Sequence, residues 1–167
     1  MLRFLFPRLT SDRTRGAELF RRVTERARSP HWYARGGVPD TVDGRFAMVA
    51  TITALALVRL EREEDGEAPV ALTERFVEAM EAEHREMGMG DPKLGRTVRK
   101  LVGSLGRRVE LWRSAVGADW SEAARESVFG ALPPTTVELE LITDSLKQFW
   151  VELTNTPAEA LAEGRIG

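Results

Sequence analysis

Residues Phe46 to Val58 read FAMVATITALALV, closed by Arg45 on one side and Arg59 on the other. This is the longest apolar run in the chain, interrupted only by Thr51 and Thr53. A membrane-spanning helix needs about 20 apolar residues, so the run is too short to cross a bilayer. It reads instead as a helix buried on most of its sides. Upstream, Val38-Pro39 is expected to be extended, because a residue before proline avoids the helical region. Asp40 or Thr41 then caps the helix, which runs to about Glu63 before Asp65-Gly66 breaks it.

Outward from this segment, apolar spacing near 3.6 dominates and no convincing alternating strand is found. A first helix is expected from about Asp12 to Arg28. Ser11 or Asp12 would cap it, and Ala17, Leu19, Phe20, Val23 and Ala27 would form its apolar side. Ser29-Pro30 ends it. Pro69 opens a third helix with Leu72, Phe76, Val77 and Met80 on its buried stripe, stopped by Gly88 and Gly90. Asp91-Pro92 signals the next start, a capping carboxylate followed by proline at the first helical position. That helix runs to about Val116. Asp119 and Glu122 offer a capping-box pattern for a fifth helix, ending before Pro133-Pro134. A sixth spans roughly Thr136 to Leu153. Thr156 and Glu159 suggest another capping box, opening a short last helix that Gly164 closes. No repeat, low-complexity tract or long linker interrupts the series. The expected fold is all-α: a single compact multi-helix domain over residues 12–164, preceded by an arm over residues 1–11.

The chain has 167 residues, enough for one domain with a real core. It is 43% apolar and 30% charged, which fits a soluble globular domain rather than a disordered one. A net charge of -2 creates no global field toward nucleic acid or membrane, and DNA is not an expected partner. The chain contains no cysteine, which excludes disulfides, thiolate zinc sites, Fe–S clusters and cysteine nucleophiles. The opening MLRFLFPRL is basic and apolar but lacks a signal-peptide core and cleavage site. It reads as an arm preceding the first helix. A weak interfacial anchor, using Leu2, Phe4, Leu5 and Phe6 with Arg3 and Arg8, or the remnant of a transit segment are the alternatives.

Between the first two long helices lies HWYARGGVPDTVDGRFAM, His31 to Met48, holding the only tyrosine and one of two histidines. Long, aromatic-rich connections often carry function. Trp32 and Tyr33 have two readings: cover for the core beneath, or anchors for a partner. The loop is expected to be ordered, with both aromatics near the helix that follows. A buried Arg45 paired with Asp40 or Asp43 would lock it. A second feature lies on the helix opened by Asp91-Pro92. Leu94, Val98, Leu101, Val102, Leu105, Val109 and Trp112 share one side at 100° per residue. Lys93, Arg96, Lys100 and Arg107 cluster opposite, flanked by Arg99, Arg108 and Arg113. Glu110 is the sole acid beyond the capping Asp91. Gly95, Gly103 and Gly106 sit mid-helix, each costing about 1 kcal/mol against alanine. They point to close helix approach or a kink. The basic stripe reads either as a solvated face or as a docking surface for RNA or lipid headgroups. No aromatics interleave with it, which disfavours base stacking.

Catalytic chemistry finds little support. Glu81 and His84 make one E-x-x-H, but a di-iron bundle site needs a second such pair, and Arg28 stands where His31 would need its glutamate. Glu81, Glu83, His84, Arg85 and Glu86 read as an exposed helix face. No Walker, dinucleotide or nucleophile-elbow motif is present. No cofactor and no metal site is expected.

The motif at His31–Met48, followed by REMGMGD at Arg85–Asp91, resembles the ubiquinol–cytochrome c chaperone family over about Phe20 to Trp150. The resemblance implies an all-α domain without catalysis that assists assembly of ubiquinol–cytochrome c reductase. It implies binding of newly made cytochrome b near the ribosomal tunnel exit, together with a small partner protein. An Arg-dominated chain without a clear long targeting extension suits a bacterial member. Such a member would be cytoplasmic, or peripheral at the inner face of the inner membrane. The expectation is therefore a non-enzymatic assembly chaperone for the cytochrome b subunit, docking on the ribosome or the membrane surface. Candidate contact residues are His31, Trp32, Tyr33, Arg45, Lys93, Arg96, Lys100 and Arg107. The alternative is a heme- or small-molecule-binding α-helical domain, or an enzyme, using His31 or His84.

Overall fold

A computed structural model describes residues 15–64 and 66–167. The chain folds as a compact all-α body, and no strand occurs among the described residues. The helices are α1 (Ala17–Ala27), α2 (Pro30–Ala34), α3 (Val42–Leu60), α4 (Glu67–Glu86), α5 (Asp91–Ala115), α6 (Trp120–Ala124), α7 (Thr136–Asn155) and α8 (Ala158–Ala162). A π-helical turn, Arg125–Phe129, follows α6 directly.

The apolar run becomes the axis of the molecule. Thr41 caps α3 by accepting from the Gly44 amide at 3.1 Å, as its side chain suggested. Every residue from Ala50 to Leu60 is buried. α1, α4, α5, α7 and the π-turn all pack on α3. Such a helix has no solvated side on which to place polar groups, so each one must find a partner inside. Thr53 donates to the Val49 carbonyl at 2.7 Å. Arg59 is buried and donates to the carbonyls of Leu153 and Thr156, both at 3.1 Å, and to Glu63 at 2.7 Å. Its cation thereby closes the C-terminal end of α7, where backbone carbonyls lack helical partners.

The π-turn carries a second internal tie. The Ser127 carbonyl accepts from Arg108 Nε and Nη2, at 3.1 and 2.9 Å. The Ser127 hydroxyl pairs with Thr51 at 2.7 Å and accepts from Trp112 Nε1 at 3.1 Å. One serine thus joins α3, α5 and the π-turn.

Several helix ends differ from expectation. α1 begins at Ala17 after Gly16, and Ala17 is exposed while Leu19, Val23 and Ala27 are buried. The expected caps Ser11 and Asp12 lie outside the described residues, as do the arm over 1–11 and Asp65. α4 begins at Glu67, two residues before Pro69, because proline is tolerated throughout a first turn whose amides lack partners. Val77 is only half-buried on that helix. α5 is entered from Gly90, so Asp91 is its first residue and makes no cap bond. Asp119 does cap α6, accepting from the Ser121 and Glu122 amides. Glu122 turns to Arg125 instead of completing the box. The full capping box forms at Thr135 and Glu138 on α7, which the sequence reading passed over. The one expected at Thr156 does not form. Its hydroxyl donates to Glu152 at 2.7 Å and accepts the Gly167 amide at 3.2 Å.

Candidate partner-binding surfaces

The aromatic segment is more ordered than a loop. Pro30 ends α1 and then opens α2, since its fixed φ suits a first helical position. This places His31, Trp32 and Tyr33 on one short turn. Trp32 is 1% exposed, and its indole donates to the Arg26 carbonyl at 2.7 Å. The half-buried Tyr33 donates its hydroxyl to the Ala27 carbonyl at 2.9 Å. Both aromatics therefore satisfy carbonyls at the end of α1. Trp32 is core cover, with its indole N–H bonded and its ring packed inside. Burial raises the Tyr33 phenol above its ordinary pKa. The His31 ring lies 4.1 Å from the Trp32 ring, and burial, then Arg35 and Arg26, lowers its pKa.

The glycines of the motif have packing reasons. A Cβ at Gly36 would stand 2.5 Å from the Trp32 carbonyl oxygen and 2.6 Å from Ile142 Cδ1 on α7. One at Gly44 would meet the Pro39 carbonyl oxygen at 1.9 Å. Only a residue without a side chain lets the backbone approach this closely. Arg45 does pair with Asp40, at 2.8 Å, but the pair stands in solvent and not in the interior. The helix around Gly44 turns Arg45 away from the buried face that Met48 and Ala47 occupy.

The basic stripe lies on α5 as its periodicity requires. Leu94, Val98, Leu105, Val109 and Trp112 are buried, with Leu101 and Val102 half-buried, while Lys93, Arg96, Lys100 and Arg107 are exposed. None of these four makes an ion pair among the described residues, nor does Arg99. The other two flanking arginines are committed. Arg108 is spent on Ser104, Ser127 and the Phe46 ring, and Arg113 on Glu61 and Glu110. The mid-helix glycines do not serve close helix approach. A Cβ at Gly95 or Gly106 would meet nothing within 4 Å, and one at Gly103 only Arg107 Nη1 at 3.6 Å.

Sequence reading missed one concave feature. Between α4 and α5 runs an open groove of about 460 Å³. Val102, Leu105 and Val109 of α5 and Pro69, Val70 and Thr73 of α4 line it together with Leu57 of α3, and Glu61, Glu74, Glu110 and Arg113 complete the lining. Val70 is 57% exposed. Neither histidine lines this groove. His84 instead shares a 2.8 Å contact between its Nδ1 and the Met80 carbonyl. Gly106 also lines the groove, and a Cβ there would meet nothing within 4 Å.

These features describe a helical domain with two distinct exposed surfaces, an apolar groove and a cationic ridge. A family model described as ubiquinol-cytochrome C chaperone matches residues 34–166, and the chain belongs to that family. The match begins just past the His31–Tyr33 triplet and runs beyond Trp150, so it is shifted from the range first expected. A solved structure, the Cbp3 homolog from Brucella abortus, shares the fold with a TM-score of 0.78. It is 24% identical, with 100% of this chain and 96% of that one covered. No curated protein sequence matches. No helix among the described residues is long and apolar enough to cross a membrane.

Proposed function

We propose that this protein is a non-enzymatic assembly chaperone that holds the newly made cytochrome b subunit of ubiquinol–cytochrome c reductase. The family match over residues 34–166 carries the reading. An open apolar groove beside a charged ridge supports it, because a client with exposed apolar surface needs a concave apolar receiver. The protein acts in the cytoplasm, at the ribosome or at the inner face of the inner membrane, with a small partner protein. Deleting the gene in a respiring host is expected to lower assembled reductase and the cytochrome b heme absorbance together, while other cytochromes persist. Normal reductase activity and normal cytochrome b absorbance in the deletion strain would refute the proposal.

A further inference from the structure

The exposed face of α5 is unusual for its one-sided charge. From Pro92 to Val109 it contains no acidic residue. It presents Lys93, Arg96, Arg99, Lys100 and Arg107 to solvent without an ion pair among the described residues. The contrast with α1 is direct: there Arg21 and Arg22 are both answered by Glu18 and Glu25 one turn away. A merely solvated helix gains from such pairs, so their absence over five cations leaves the face complementary to an external anion. Lys93 to Arg107 spans about 21 Å of a straight helix. Gly103 lies within the ridge, where an added Cβ would meet only Arg107 Nη1, at 3.6 Å.

We propose that this ridge docks the protein on an anionic lipid surface. One observation favours lipid over nucleic acid. None of the described aromatic residues is exposed, so the described surface offers no platform on which bases could stack. A face of one charge sign suits the anionic headgroup region of a bilayer. The ridge assignment rests on the proposed role only for the presence of a membrane near the site of work. Vesicle binding needs no client, so failure of one leaves the other to its own test.

The purified full chain is sedimented with phosphatidylcholine vesicles, with and without phosphatidylglycerol, at rising sodium chloride. Binding is expected only with phosphatidylglycerol, and it should weaken as salt screens the surface. Each cation near such a surface strengthens partitioning about fivefold. The double variant Arg96→Gln/Lys100→Gln should therefore bind on the order of 25-fold more weakly. Arg21→Gln/Arg22→Gln, which removes the same charge from α1, should bind as the parent does. Helical circular dichroism and thermal unfolding establish that both variants are folded. Equal binding to both vesicle types, an equal loss in the α1 control, or ridge-dependent binding of duplex RNA without binding to phosphatidylglycerol would each overturn the proposal.

Discussion

Replacing Ser127 by alanine tests the claim that one hydroxyl holds three segments together. The side chain is buried, as are Thr51 and Trp112, which share it. Ser127→Ala removes the acceptor of the Trp112 indole N–H at 3.1 Å and the 2.7 Å partner of the Thr51 hydroxyl. A buried polar group left without a partner costs about 1–3 kcal/mol. The Trp112 N–H bears the full penalty, since the indole has no other acceptor. Thr51 bears less, because its hydroxyl also reaches the Ser127 carbonyl at 3.4 Å, a group the substitution leaves in place. The expected loss is about 2–4 kcal/mol. Urea denaturation followed by circular dichroism reads it directly. With a slope of about 2 kcal/mol per molar, the midpoint falls by about 1–2 M at unchanged slope. The Arg108 bonds go to the carbonyl and persist, so the π-turn and the helix content should survive. Adding Thr51→Val should cost less than the two single losses summed, because one hydroxyl pair is then counted once. A loss below about 0.5 kcal/mol for Ser127→Ala would place the residue among ordinary surface substitutions and refute the node.

Glycine substitutions should divide by sign. Gly36→Ala forces a methyl against the Trp32 carbonyl and Ile142, and is expected to destabilise by about 1–3 kcal/mol. Gly95→Ala meets open space in a helix interior and should stabilise by up to about 1 kcal/mol in the same urea titration. His31, held below its ordinary pKa chiefly by burial, binds its proton more readily in the unfolded chain. Stability should then fall as pH drops from about 6.5 toward the lower folded value, and Gln in its place should flatten that part of the profile. Proton NMR of the histidine ring, showing a midpoint at or above the ordinary value, would contradict it.

The helical series was legible because its signals are local. Apolar spacing in Leu94 to Trp112, the Thr41 cap and the Gly164 stop each act within a turn or two of the chain, so sequence neighbours are also spatial neighbours. The same locality placed the exposed ridge opposite a buried stripe. Errors arose where two local rules competed, as at Thr156, whose hydroxyl chose the end of α7 over a cap of α8. The family resemblance was likewise readable in the two motifs, although the match covers residues 34–166 and leaves the aromatic triplet outside.

By itself, the order of residues determined that this is an all-α chain with an unsolvated central helix and a cationic face on α5, since period and charge pattern follow from helix geometry alone. Tertiary structure alone decided that Trp32 is spent on the Arg26 carbonyl, that Ser127 meets Thr51 across 76 positions, and that α4 and α5 leave a groove between them. Those outcomes depend on which surfaces meet when distant segments pack, and no window of the sequence contains both partners.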